Sequence, residues 1–223
     1  MAVVGIVGQK GGCGKSTVAR ATAVEGSTGK RRVLLLDCDP GQHTSMDFKD
    51  TRALNNRKPA IEVEPVGFDD DLLAAIEDAE QTHNVVIVDA RGHSDEQTLD
   101  LAGVCDLLVI PAAPNSDDLR PAAMLYHELT EAGGNCVLIL NKVGSAAQSK
   151  WARKALAETG ITPLAEEIPS MLCFQNAPTY GHAITEVKEP GPRGKAQKAI
   201  RAILKLAKPR KRNEPLRFTG GSL

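Results

Sequence analysis

The chain has 223 residues, 42% hydrophobic and 25% charged, with a formal net charge of −1, the makeup of one globular domain. No apolar run approaches the roughly 20 residues of a membrane span, and the first residues lead straight into a strand pattern, so neither a membrane anchor nor a signal peptide is expected. Only 3% of residues are aromatic, so the core must be built from Val, Ile, Leu and Ala, as in a parallel sheet covered by helices.

Val3 to Val7 reads as a buried strand, and Val18 to Val24 as the start of a helix. Between them lies Gln9-Lys10-Gly11-Gly12-Cys13-Gly14-Lys15-Ser16-Thr17. A glycine-rich turn from strand to helix lets several N–H groups converge on one anion, and the helix N-terminus adds partial positive charge. Lys15 can reach the β- and γ-phosphates, and the Ser16 hydroxyl can ligate Mg²⁺. The usual phosphate-loop pattern has glycine at the position of Gln9, and here a second lysine, Lys10, follows it. Lys10 sits too early in the loop to serve the phosphates held by Lys15 from within one subunit; a dimer interface is one place it could point.

This loop resembles the deviant phosphate loop of the ParA/MinD superfamily, and Gln9 before the second lysine is more similar to ParA partition ATPases than to MinD. The resemblance implies ATP and Mg²⁺ as cofactors and a nucleotide-dependent homodimer in which Lys10 reaches the partner's ATP. It implies nucleotide contacts from Lys10, Gly11, Gly12, Cys13, Gly14, Lys15, Ser16 and Thr17.

Val33-Leu34-Leu35-Leu36-Asp37 is a second buried strand with a carboxylate at its C-terminal end, the edge where open α/β sheets bind ligands. Asp37-Cys38-Asp39-Pro40 resembles the Asp-x-Asp-Pro-Gln motif of ParA proteins, with Gly41 inserted before Gln42. That match implies that Asp39 orients the attacking water and that Asp37 supports Mg²⁺ through water; the plainer alternative is a strand-ending turn. Residues 43 to 60 read as a short helix and a loop. Ile61 to Val66 alternates as an edge strand does, and Asp69 to Glu80 reads as a helix with Leu72, Leu73 and Ile76 inward. Val85-Val86-Ile87-Val88-Asp89 looks like a Walker B element, with Asp89 expected to hold Mg²⁺ through its water shell. In Ala90-Arg91-Gly92, Gly92 would keep a switch flexible, and Arg91 is open to phosphate contact, DNA contact or solvation.

Ser94 to Gly103 reads as a helix and Cys105 to Pro111 as a buried strand. Pro111 to Leu119 resembles the Pro-x-x-Pro-Ser-x-x-Asp-Leu loop of small ParA proteins. A helix from about Asp117 to Ala132 follows, ended by Gly133-Gly134. Asn135 to Leu140 is a strand ending in Asn141-Lys142. Asn141 can donate to and accept from adenine, as the family resemblance implies, or merely make a turn. Ala146 to Thr159 is helical, and residues 168 to 181 are irregular and close to the base. The last helix, Gly194 to Lys208, puts Ala196, Ala199, Ile200, Ile203, Leu204 and Ala207 on one stripe and Lys198, Arg201, Lys205 and Lys208 on the other.

The fold class expected is α/β, a doubly wound, mainly parallel sheet with helices on both faces, in one domain over 1–208 with a basic tail at 209–223. Lys188 to Arg217 holds 11 Lys/Arg and 2 Glu, a net of +9. The rest holds 16 Lys/Arg and 26 Asp/Glu, a net of −10. A basic segment on an acidic body points to a polyanion. The ParA resemblance implies non-specific DNA as cargo, a ParB-like centromere-binding partner, slow partner-stimulated hydrolysis, and a cytoplasmic protein that joins the nucleoid when ATP-bound. The chain lacks the helix-turn-helix extension of larger ParA proteins and so resembles the short type. Alternatives are a MinD-like membrane-positioning ATPase, for which the Ala-rich stripe of the last helix is poorly suited, and a ParA-like ATPase recruiting conjugation machinery. An iron–sulfur reductase would need bridging cysteines. The five cysteines, Cys13, Cys38, Cys105, Cys136 and Cys173, are scattered, and only Cys105 and Cys136 are placed for that role; a reducing compartment suits them better.

Overall fold

Residues 1–29, 31–39, 44–67, 71–91 and 96–209 are described by a computed structural model. The strands are β1 (Ala2–Ile6), β2 (Val33–Asp37), β3 (Glu62–Pro65), β4 (Val85–Asp89), β5 (Leu107–Ala112), β6 (Cys136–Val143) and β7 (Glu167–Pro169). The helices are α1 (Lys15–Gly26), α2 (Thr44–Leu54), α3 (Leu72–Glu80), α4 (Glu96–Val104), α5 (Ser116–Glu131), α6 (Ala146–Glu158), α7 (Leu172–Asn176) and α8 (Pro190–Leu206). Two short 3₁₀ turns, Ala177–Tyr180 and Ile184–Glu186, join α7 to α8.

The seven strands form one sheet in the order β3-β2-β4-β1-β5-β6-β7, every pair parallel. β3 is at an edge, as its alternating Glu62-Val63-Glu64 pattern requires. The five residues of β1, β2 and β4 are all buried, because helices cover both faces and each strand must be apolar on both sides. Strand residues divide by the period of two: Val3, Leu34, Leu36, Val86 and Val88 face α3 to α6. Val4, Ile6, Leu35 and Ile87 face α1, α2, α7 and α8. The doubly wound architecture follows.

Residues 168 to 181, expected to be irregular, hold the end of β7, helix α7 and a 3₁₀ turn, and local boundaries differ from the expectation in three further places. α8 begins at Pro190, four residues before Gly194, because prolines at the first helical positions need no amide partner. β6 runs on through Asn141 and Lys142 to Val143, with an irregularity in its pairing to β7 where Lys142 takes φ 57. α5 begins at Ser116, where the Asn115 side chain accepts from the Asp118 amide. The expected starts of α3 at Asp69 and of α4 at Ser94, the Pro40-Gly41-Gln42 stretch, Gly92 and the tail beyond Pro209 lie outside the described residues. Among the described residues no helix is long and apolar enough to cross a membrane.

A buried cation joins distant parts of the chain. Arg52 on α2 is 1% exposed. It donates to Glu186, at 2.5 Å, to Gly181 O at 2.8 Å and to Pro59 O at 2.7 Å. Gly181 has φ 69, and a Cβ there would fall 2.8 Å from the Arg52 Cα, so only glycine admits the contact. Breaking a buried pair leaves its partner uncompensated. Arg52→Met is expected to lower unfolding free energy by about 3 kcal/mol in urea denaturation; an unchanged midpoint would show that the pair does not hold α2 to the last third of the chain.

Candidate nucleotide site

The site lies at the C-terminal edge of the sheet, where β1, β2, β4 and β6 deliver their last residues. Gly14 is the N-cap of α1 at φ 103, and Gly12 has φ 79, conformations that glycine adopts without strain. A Cβ on Gly14 would fall 2.1 Å from Asn141 Nδ2. Among the described residues no side chain caps α1, which leaves its first-turn N–H groups for an anion. Lys15 Nζ donates to Lys10 O at 3.2 Å, folded back across the loop. Cys13 is buried, its Sγ beneath Gly8, as a small residue fitting the turn would be.

β6 holds the loop from behind. Asn141 is 3% exposed and donates through Nδ2 to Cys13 O at 2.8 Å. Lys142, turned by its positive φ, donates to Gly12 O at 2.6 Å. Both also line a pocket of ≈ 270 Å³ with Thr17, Pro169, Met171 and Phe174. Asn141, expected to meet adenine, thus lines this pocket while its amide anchors the phosphate loop.

The acidic strand ends meet in register, Asp37 opposite Asp89, 1% and 2% exposed. Asp37 Oδ1 accepts from the Asp39 amide at 3.3 Å, and Oδ2 from the amides of Ser45 at 3.0 Å and Met46 at 3.3 Å. It thus satisfies the start of α2 from another element. Asp89 Oδ2 accepts from Ser45 Oγ at 3.0 Å, while the buried Oδ1 has no partner among the described residues. Burial pushes Asp89 up to about 6, reinforced by Asp37 and offset by the Ser16 and Ser45 hydroxyls and by Arg20. An unpartnered buried carboxylate oxygen beside a serine hydroxyl fits a hard cation completed by water and phosphate oxygens. Among the described residues no group of three His, Cys, Asp or Glu converges on a metal position, so protein side chains alone would not enclose such a cation.

Several participants have little sequence signal. Arg20, one turn beyond Ser16, donates to Ser16 O and Thr44 O and lies 5.2 Å over the Phe48 ring. Burial lowers its pKa, and Asp89 and Asp37 pull it back. A lone arginine on a small-residue helix is its only mark in the sequence. Burial drives the Cys38 thiol up to about 12, with Asp89 and Asp37 adding to the effect, so it packs as a neutral group. Arg91 donates to Cys38 O at 2.6 Å and Gly67 O at 3.4 Å, a clip across the ends of β2, β3 and β4. Lys10 turns away from Lys15's ammonium, toward α5, and donates to Asp118 Oδ1 at 2.7 Å. This hydrogen bond raises the Lys10 pKa. Cys105 lies in the core under Gly5, at the opposite edge of the sheet from the loop.

A parallel doubly wound sheet with this loop and two acidic strand ends defines a phosphate-loop nucleotide-binding protein. The sequence model of the CobQ/CobB/MinD/ParA nucleotide binding domain matches residues 4–184, and the chain belongs to that family, within the ParA/MinD superfamily. No curated protein matches it in sequence. Among solved structures it is similar to the MinC:MinD cell division protein complex of Aquifex aeolicus, at 16% identity over 95% of this chain and 99% of that one, TM-score 0.74. It is similar to the septum site-determining protein MinD complexed with Mg-ADP from Pyrococcus horikoshii OT3, at 18% identity over 92% and 97%, TM-score 0.68. A ParA family ATPase from Chlorobium tepidum TLS gives 18% identity over 89% and 97%, TM-score 0.66. At these identities the likeness is one of fold.

Asn141→Ala is expected to weaken ADP binding about tenfold in calorimetry, the value of one hydrogen bond to the loop. Asn141→Asp should do the same, because a carboxylate cannot donate to Cys13 O. Unchanged affinity in both variants would remove the tether from the site.

Proposed function

We propose that the chain is a ParA-like ATPase that hydrolyses ATP to ADP and phosphate, dimerises on ATP, and binds DNA without sequence preference to segregate a plasmid or chromosome. The observation that carries this reading is Lys10, a second loop lysine held outward on Asp118 with half its side chain exposed. An ATP-binding enzyme acting as a single subunit has no need of it.

In this reading the amides of residues 11 to 17 and Lys15 hold the phosphates, and Mg²⁺ supplies charge neutralisation between them. Ser16 would ligate the cation, Asp89 would hold it through water, and Asp37, already committed to three amides, would support it through water as well. Asp39 orients the attacking water, which adds to the γ-phosphorus as the bond to the ADP oxygen breaks. Asn141 and the pocket beside it take the base. Lys10 leaves Asp118 and reaches the partner subunit's phosphates, so hydrolysis is tied to dimer formation. A ParB-like centromere-binding protein stimulates turnover, and DNA holds the ATP-bound dimer on the nucleoid.

The last helix supports a DNA cargo over a membrane one. A membrane-positioning switch of the MinD kind needs a free amphipathic helix with a bulky apolar face. Ala196, Ala199, Ile200 and Ile203 of α8 are fully buried against α1 and the sheet, so that stripe is spent on the core. Conjugation machinery as an alternative cargo uses the same chemistry and differs in its partner protein.

Lys10→Ala is expected to keep ATP binding by the monomer and to lose ATP-dependent dimerisation and hydrolysis, read by light scattering and phosphate release. Full dimerisation and turnover in that variant would overturn the role across the interface.

A further inference from the structure

At the far end of α1 from the phosphate loop, a groove of ≈ 500 Å³ separates α1 from the last turns of α8. α1 is 12 residues long, so about 18 Å of helix lies between the two sites. Glu25, Thr28, Arg31, Arg201, Leu204 and Lys205 line the groove. The carboxylate among them is already used: Glu25 is buried and accepts from Arg201 Nε. This pair fixes Arg201 at the rim with its side chain 63% exposed, and among the described residues nothing takes its two terminal amino groups.

Arg31 and Arg32 come from the turn before β2, and both are exposed. The backbone at Arg32 is pinned, its amide donating to Asn84 Oδ1 at 2.8 Å and its carbonyl accepting from the Asn84 amide at 2.8 Å. On α8, Lys198 and Lys205 are exposed, as is Lys208 just past its end, and the two helical lysines extend the positive edge over about 10 Å of helix. Two fixed cationic elements therefore flank one groove, and in sequence Arg210, Lys211 and Arg212 follow.

Resting on the reading above as a DNA-binding ATPase, we propose that the α1–α8 groove seats the sugar–phosphate backbone of duplex DNA, with Arg31, Arg32, Arg201 and Lys205 each meeting phosphate. The chemistry favours duplex over single strand, because among the described residues no aromatic side chain lines the groove to stack on a base. It favours DNA over an anionic bilayer, because an interfacial helix needs bulky apolar anchors that insert. Contact confined to phosphate gives binding without sequence preference and a steep dependence on salt.

The test is binding of the full chain with ATP and Mg²⁺ to a fluorescent duplex of arbitrary sequence across a salt series. Arg31→Glu/Arg32→Glu and, separately, Lys205→Gln are compared with the parent. The double variant is expected to bind about tenfold or more weakly and with a shallower salt slope, by about 0.9 for each phosphate no longer neutralised. Basal ATP hydrolysis and ATP-dependent dimerisation should be unchanged in both variants, which also reports on folding. Lys205→Gln should make the slope shallower by about 0.9, the share of one phosphate. If the parent binds DNA and both variants bind equally well with the same slope, the groove is not the seat, while the partition reading stands. If the parent dimerises on ATP but binds no duplex, the DNA reading itself fails, and the groove with it. Binding to phosphatidylglycerol vesicles in place of duplex, weakened by the same variants, would overturn the proposal in favour of a membrane surface.

Discussion

Two carboxylates buried side by side at the ends of adjacent parallel strands are the constraint on which the site depends. Asp37 and Asp89 cannot both carry charge in an apolar sheet without compensation. Asp37 finds it in three backbone amides and fixes the start of α2. Asp89 finds only part of it, in the Ser16 and Ser45 hydroxyls and the nearby Arg20, and among the described residues Oδ1 has no direct partner. Folding alone thus leaves this corner incompletely satisfied, as a site that a cation bound with phosphate would complete. Ser45 touches both acids, through its amide and through its hydroxyl, so the helix that follows the Asp39 segment is tied directly to the acidic strand ends.

The same economy appears behind the phosphate loop. Gly12 and Gly14 adopt conformations that residues with a side chain rarely hold, and β6 steadies two of the loop's carbonyls through Asn141 and Lys142. The loop is therefore positioned by the strand that also walls the adjoining pocket. α2 extends this connection, since its first turn meets the two acids while Arg52, farther along it, grips Glu186 and Gly181 next to the pocket wall.

The strands were legible because a parallel strand covered on both faces must be apolar throughout, and β2 and β4 each stopped at an acid on the ligand-binding edge. The loop was legible because glycine, lysine and serine at that spacing have one physical use. What stayed hidden was long-range. Asn141 shows in sequence as an amide at a strand end, and nothing local says that it turns back 128 residues to Cys13. Arg52 reads as one polar residue among many, and its partner lies 134 residues away. The start of α8 was masked by Pro190-Gly191-Pro192, a turn by local preference that becomes a helix's first turn once the apolar stripe is docked on α1. Arg31 and Arg32 read as a charged lead-in to β2; only the packing of α8 puts Arg31 across a groove from Arg201.

The central claim is that the Asp89 corner is completed by Mg²⁺ together with nucleotide. Calorimetric binding of ATP with and without Mg²⁺, in the parent and in Asp89→Asn, tests it most directly. The account predicts that Mg²⁺ tightens ATP binding about tenfold or more in the parent, a gain of at least about 1.4 kcal/mol, and that Asp89→Asn keeps the metal-free affinity but loses that gain. An equal gain from Mg²⁺ in Asp89→Asn, or no ATP binding by the parent, would contradict it.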